Sequence, residues 1–277
     1  MKRNGYRTFP EYQRLKGVNW SLLRAMIDSP AHYQYRKTHE RPDSSAMALG
    51  RAIHTAVLEP DRFLVEFAYF DGPRRAGKAW EDFAAVNAGR TILKPDEFQR
   101  VLDVRDAVKA HKVARRLLRR GKPEVTLQWR DPDTRMLLKA RPDWIGSDGT
   151  LLDLKSTRTI EMRTFSRLAV QMHYIEQMSY YRMAMRERGY TVGPVYLLVV
   201  EVEGPHDVGV YELEAEALDA GEDVVHGLLQ RVKDYHLFKN PPGRCPGAET
   251  LDIPPWFYEA QNDEIQILEG LAPRSMT

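Results

Sequence analysis

Three short β-prone runs between Glu124 and Thr157, EVTLQWRD, RMLLKARPDWIG and TLLDLKST, are separated by the turn sequences DPDT and SDG, and they constrain the fold more than any other stretch. Runs rich in Val, Leu, Ile and Trp, bounded by Asp, Pro, Gly and Ser, read as strands joined by tight turns. They predict an antiparallel meander. The chain before them reads as helical. Leu22, Leu23, Met26 and Ile27 give a helix beginning near Asn19 and halted at Ser29 and Pro30, with a short helix after Pro30. Ser44 or Ser45 caps AMALGRAIHTAVLEP, whose apolar face is Met47, Ile53, Val57 and Leu58 and whose end is Pro60. DGPRRAGKAWEDF opens as a basic loop and turns helical through Trp80, Phe83 and Val86. A long helix is expected from Pro95 to about Arg120, closed by Gly121.

After the strands come a long helix from about Glu161 to Arg188, the apolar strand PVYLLVVEVE, the strand VGVYELE, and a helix from about Glu214 to His236. The tail, NPPGRCPGAETLDIPPWFYEA, is rich in Pro and Gly and is expected to wrap the surface with Trp256 and Phe257 as anchors. This divides the chain into an N-terminal arm (1–18), one domain over 19–236 and a tail (237–277). Within the domain, 19–121 is helical and 122–213 holds the sheet. A chain of 277 residues is long enough to bury one large core without metal or disulfide staples.

The lone Cys245 cannot form an internal disulfide, which points to a reducing compartment and excludes an iron-sulfur nuclease. MKRNGYRTFPEYQRLKG lacks the apolar core of a signal peptide, and no apolar run is long enough for a bilayer, so a cytoplasmic protein with no membrane partner is expected. The net charge of +2 does not by itself announce a nucleic-acid binder. Its distribution is uneven: Lys109, Lys112, Arg115, Arg116, Arg119, Arg120 and Lys122 fall in one stretch without an acid. That stretch reads either as the solvated C-terminal end of a helix, where the dipole favours cations, or as a phosphate contact.

In LLDLKS, period-two geometry puts Asp153 and Lys155 on one strand face and Leu152 and Leu154 on the other. The short turn IGSDGT folds Asp143 back beside Asp153. Two such carboxylates repel unless a cation neutralises them, and hard oxygen ligands suit Mg²⁺. Lys155 then holds and polarises an attacking water in a solvated site, while the cation stabilises a pentacovalent phosphate. Taken alone, D-x-K reads as an ordinary exposed pair. His54 alone reads as a core histidine, Glu124 as an exposed strand start, and Gln177 and Tyr181, one helical turn apart, as boundary residues.

Together, GRAIH at Gly50–His54, PD at Pro142 and Asp143, DLK at Asp153–Lys155 and Q-x-x-x-Y at Gln177–Tyr181 occur in the order found in RecB-type nucleases, and the chain resembles that branch of the PD-(D/E)XK superfamily. LGRAIHTAVLEPDRF, GPRRAGKAWEDF, KARPDW, DLKST and LDIPPWF make it similar to the RecE or exonuclease VIII family of phage recombination exonucleases, over residues 20–258. The resemblance implies an α/β (α+β) fold with a restriction-endonuclease-like core, a mixed central sheet flanked by helices. It implies two Mg²⁺ or Mn²⁺ ions and 5′ to 3′ digestion of linear double-stranded DNA from its ends, leaving 3′ overhangs. His54, Asp143, Asp153 and the Leu154 carbonyl then match metal ligands, with Glu124 a further acidic ligand, and Lys155 matches the catalytic lysine. Gln177 and Tyr181 match the helix motif that orients DNA, and Arg74, Arg75 and Lys78 meet the DNA end. A homo-oligomeric ring, a RecT-like single-strand-annealing partner and a phage or prophage origin belong to the same resemblance. Ser156 stands where the family carries Thr, which keeps the hydroxyl.

Overall fold

The computed structural model describes residues 5–39, 44–235, 239–255 and 257–258. Strand β1 (Gly5–Tyr6) leads into α1 (Phe9–Arg14), where Thr8 and Glu11 close a capping box. Asn19 caps α2 (Trp20–Leu23), which is followed by α3 (Ala25–Asp28) and, behind the N-cap Ser29, α4 (Pro30–Thr38). Ser44, not Ser45, caps α5 (Ser45–Leu58). Pro60 ends that helix and starts α6 (Pro60–Glu66), because a missing N–H is tolerated at a first helical turn. Strand β2 (Phe67–Tyr69), α7 (Lys78–Val86) and β3 (Thr91–Leu93) follow, β2 and β3 pairing in parallel.

The expected helix from Pro95 to Arg120 is two helices, α8 (Pro95–Ala110) and α9 (Lys112–Leu117). The chain is extended at His111 (φ −70°, ψ 116°), and its Nδ1 accepts the Ala114 N–H at 3.2 Å. Histidine is not a usual N-cap, so the break hides inside a continuous helical pattern. Gly121 does more than end a helix, since it opens β4 (Gly121–Pro123) on the edge of the main sheet. A Cβ there would lie 2.5 Å from the Trp144 ring and 2.6 Å from the Ile145 carbonyl oxygen, so only glycine lets this strand approach its neighbour.

The three predicted strands are not one meander. They form β5 (Val125–Arg130), β6 (Leu137–Ala140), β7 (Trp144–Gly146) and β8 (Leu151–Thr157), with the second run cut at Arg141, Pro142 and Asp143. Its first half pairs with β5 in a small sheet ordered β1-β5-β6, and its second half with β4 and β8. Pro142 has no N–H to offer a ladder, and the chain changes sheets there. The expected helix from Glu161 to Arg188 is likewise divided, into α10 (Met162–Gln171) and α11 (Tyr174–Glu187), because His173 is left-handed (φ 58°). Strands β9 (Val195–Glu201) and β10 (Val208–Glu212) and helix α12 (Ala215–Tyr235) follow.

The main sheet has the order β10-β9-β8-β7-β4 and is parallel only between β8 and β9. That parallel pair needs a crossover, which α10 and α11 supply. Helices cover both faces, as expected for the mixed α/β fold. Leu151, Leu197 and Val199 pack with Met178 and Met185 of α11 and Leu229 of α12. Leu152, Leu154, Leu198 and Val200 pack on the other face with Ile53 of α5 and Val101 and Val104 of α8. Among the described residues no helix is long and apolar enough to cross a membrane.

The N-terminal segment lies on the small sheet. Buried Lys139 donates from Nζ to the carbonyls of Tyr12 (3.2 Å), Gln13 (3.1 Å) and Leu15 (2.7 Å), a cation at the C-terminal end of α1. In the tail, the Pro242 carbonyl accepts the Ala31 N–H at 3.1 Å and Arg244 pairs with Asp28. Phe257 is 42% exposed and meets Tyr258 edge-on, so it is not the expected anchor; polar groups tie the tail instead. Trp256 and His236 lie outside the described residues. Lys139→Met should lower stability by about 2 kcal/mol and open residues 5–18 to limited proteolysis ahead of the domain. An unchanged cleavage pattern would show that the remaining contacts, β1 and Arg141 among them, hold the segment without the lysine.

Candidate metal centre

Opposing residues in β7 and β8 are Trp144 with Leu152 and Ile145 with Leu151, so Asp143 and Asp153 are the next positions along the two strands. The ladder ends there in a side chain: Asp143 Oδ2 accepts the Leu154 N–H at 2.8 Å. In strand β8 the alternation is as the sequence predicts, with Leu152 and Leu154 packed on the α5 and α8 side and Asp153 and Lys155 toward α11. The Asp–Lys face is not the solvated surface expected, however. Helix α11 crosses it, leaving Asp153 1% exposed and Lys155 half-enclosed.

Lys155 Nζ forms an ion pair with Asp153 Oδ2 at 2.6 Å, donates to Gln177 Oε1 at 2.9 Å and lies 4.2 Å from the Tyr174 ring centroid. Gln177 Nε2 in turn donates to Asp153 Oδ1 at 3.3 Å and to the Tyr181 hydroxyl at 3.0 Å. The partners dictate the amide's orientation, because an ammonium needs its oxygen and a carboxylate its nitrogen. Burial alone would pull the Lys155 pKa down, but Asp153 and Asp143 outweigh it and hold the ammonium above the usual lysine value. Burial, with Asp153 and Asp143 adding to it, keeps the Tyr181 hydroxyl protonated well past its ordinary range.

Helix α5 brings His54 Nδ1 to 3.3 Å from Asp143 Oδ2. Glu124 does not simply start a strand. It sits between β4 and β5 in the left-handed region (φ 53°), a conformation that costs a non-glycine residue about 1–3 kcal/mol, and its N–H bonds the Asp143 carbonyl at 2.9 Å. One ligand atom each from His54, Glu124 and Asp143 lie within 4.8 Å of one another. Burial first, then Asp153, raises the Asp143 pKa to about 6 against the pull of His54 and Lys155. Burial first, then Asp143, Glu59 and Asp153, raises Glu124 to about 8 although Arg141 opposes it.

Carboxylates so crowded beside an imidazole nitrogen are a donor set that a divalent cation fits. Among the described residues this is the one such group of three, where the resemblance implied two ions; Asp153 stands next to it, engaged by Lys155. The N–H and C=O of an extended residue leave the same edge of a strand, so the Leu154 carbonyl shares the edge on which its N–H meets Asp143.

Three neighbours were not singled out in the sequence. Tyr174 covers Lys155. Arg141 Nε pairs with Glu124 Oε2 at 3.1 Å, its NH2 group donates to the Arg7 carbonyl at 3.2 Å, and its guanidinium lies over Phe9 (5.6 Å) and Tyr12 (6.0 Å), tying the N-terminal segment to the centre. Glu59 closes α5 and is held by Arg62 at 3.0 and 3.1 Å. Only Arg141 carried a signal, its place before Pro142. Arg74 and Arg75 are exposed on the loop before α7 and Lys78 is exposed at its first residue; Arg75 donates to the Ile92 carbonyl at 2.9 Å and lies 5.5 Å from the Trp80 ring centroid. Among the described residues no hydrogen bond or ion pair joins these three to the centre.

Residues 19–254 match the profile of a family described as a PDDEXK-like domain of unknown function (DUF3799). A crystal structure from Eubacterium rectale named "Putative exonuclease" is similar in fold, with a TM-score of 0.60 at 12% identity over 92% of this chain and 98% of that one. A second solved structure, SSO0001, aligns over 93% of this chain and 96% of that one at 11% identity with a TM-score of 0.30, too low to bear on the fold. No curated protein matches in sequence.

Both raised carboxylates make the metal-free protein hold protons that the unfolded chain has released. The contribution of these two groups to stability is therefore fully present below the ordinary carboxylate range and is lost as pH rises through about 6 and then about 8. The gain in melting temperature on adding Mg²⁺ or Mn²⁺ should grow from acid to alkaline pH across that window and shrink in Asp143→Asn; a gain independent of pH would mean these carboxylates do not hold the ion. His54→Ala should raise the half-saturating metal concentration in the same assay by about tenfold or more, and an unshifted curve would return His54 to a packing role.

Proposed function

Because the chain belongs to the PDDEXK-like family DUF3799, whose profile spans residues 19–254, we propose that it is a metal-dependent DNA nuclease hydrolysing phosphodiesters at the centre around Asp143, Asp153 and Lys155. The observation that carries this is the convergence of the His54, Glu124 and Asp143 ligand atoms within 4.8 Å, next to an Asp153–Lys155 pair held at 2.6 Å. Those three residues, the Leu154 carbonyl and the adjacent Asp153 would hold Mg²⁺ or Mn²⁺. When bound, the cation supplies Lewis acidity toward water and phosphate oxygens.

The chain's own groups divide the remaining work. Lys155 keeps its proton, so it acts by charge and donation, not as a general base: it holds an attacking water and meets the negative charge that gathers on phosphorus. Gln177 fixes the ammonium from one side and the Tyr174 ring limits water on another. The Tyr181 hydroxyl, kept neutral, is a donor that Gln177 aims. Freezing these groups before substrate arrives removes reorganisation from the reaction itself.

We take the substrate to be linear double-stranded DNA, digested 5′ to 3′ from its ends to leave 3′ overhangs, with the exposed Arg74, Arg75 and Lys78 meeting the end. The sequence resemblance supports this finer assignment. End-labelled linear duplex with Mg²⁺ should release label from the 5′ end first, and closed circular DNA should survive; cut circles would replace this with an endonuclease. Asp153→Ala and Lys155→Ala should each cut the rate by about 10²-fold or more, and since Lys155→Ala leaves a buried carboxylate unpaired, its melting temperature should fall as well. Unchanged turnover in Lys155→Ala would remove the lysine from the chemistry.

A further inference from the structure

We infer that the cationic stripe of α9, continued along β4, docks the phosphate backbone of duplex DNA outside the metal centre, an assignment that rests on the nuclease function proposed above. The stripe consists of Lys109, Lys112, Arg115, Arg116, Arg119, Arg120 and Lys122. The whole chain holds 41 Lys and Arg against 39 Asp and Glu, so with these seven set aside the remainder is net acidic and the excess is local. All seven are exposed, and among the described residues none has a carboxylate within 4.0 Å.

The break at His111 removes the simplest alternative, a single solvated helix end. A helix dipole favours cations in its last turn, which accounts for Lys109 in α8 and for Arg115 and Arg116 in α9. It works against Lys112, the first residue of α9, and does not reach Arg120 and Lys122 beyond it. Within α9, Lys112, Arg115 and Arg116 follow the three- and four-residue spacing that lines one helix face, and Arg119 and Arg120 continue the charge past its C-cap Leu118. The other side carries buried Ala114 with Leu117 and Leu118, packed against the core beneath α5 and α8. The helix is thus anchored by its apolar side while like charges stand together in water without compensation.

Strand β4 carries the stripe to the chemistry. It is an edge strand paired only with β7; Lys122 is opposite Ile145, and Glu124 follows two residues later with its N–H on the Asp143 carbonyl. At about 3.3 Å per residue, the last cation lies roughly 7 Å along the chain from Glu124. One lysine is enough to guard an edge strand against pairing; a run of seven suits a polyanion. Duplex DNA carries one charge per about 1.7 Å of its axis, and guanidinium groups grip phosphate oxygens in pairs.

The test is a variant with Arg115→Gln, Arg116→Gln and Arg119→Gln together, all exposed, compared with the wild type in two assays. One is hydrolysis of the small diester bis(p-nitrophenyl) phosphate with Mn²⁺, which reports the centre alone. The other is fluorescence anisotropy with a labelled blunt duplex in Ca²⁺ over a range of salt. The variant should hydrolyse the small diester as the wild type does, bind duplex about tenfold or more weakly, and show a log K against log salt slope smaller by about 2–3. Equal affinity and slope in an active variant would overturn the docking surface, as would wild-type affinity for duplex no greater than for polyglutamate of equal charge. Stripe-dependent duplex binding by a wild type that hydrolyses neither substrate would uphold the surface and defeat the nuclease proposal.

Discussion

Asp143 is where the separate parts of this protein are tied. Its carboxylate ends the β7–β8 ladder by accepting the Leu154 N–H, its carbonyl accepts the Glu124 N–H, and the same side chain faces His54 from α5. Three segments distant in the chain are set by one residue, because Pro142 interrupts the preceding strand and releases Asp143 from ordinary pairing. A side-chain oxygen then does what a backbone carbonyl would have done, leaving a carboxylate, not a peptide group, at the point where the sheet opens.

Burying that carboxylate beside others creates an electrostatic conflict that the fold only partly resolves. Lys155 answers Asp153 from one side and Arg141 answers Glu124 from another, and each cation is held by further contacts, Gln177 and Tyr174 for the lysine, the Arg7 carbonyl and two aromatic rings for the arginine. Even so, both carboxylates of the trio His54, Glu124 and Asp143 are pushed toward the protonated form. Left-handed backbone at Glu124 adds to the cost. Residues that are individually unfavourable yet mutually well placed are the usual mark of a site kept for binding rather than for stability.

Much of the frame was legible. Helices start behind Asn19 and Ser44 where the sequence suggested, Ile53, Val57 and Leu58 of α5 pack in the core, and the alternation in LLDLKS sends Asp153 and Lys155 to one face. The breaks were less visible. His111 interrupts a continuous helical pattern with an unusual cap, His173 does so with a left-handed turn, and the RMLLKARPDWIG run looks like one strand although its halves belong to different sheets. Each depends on a packing partner elsewhere in the chain.

By itself the sequence determined which side chains share a strand face or a helix turn, because periodicity is a property of neighbouring residues and of backbone geometry. Tertiary structure alone decided that the Asp153–Lys155 face is enclosed, that Tyr174 covers its lysine, that Arg141 pairs with Glu124, and that Arg74, Arg75 and Lys78 make no bond to the centre among the described residues. Enclosure and charge balance come from segments remote along the chain meeting in a low-dielectric interior, where a few ångströms decide whether a carboxylate is paired, protonated or free for a cation.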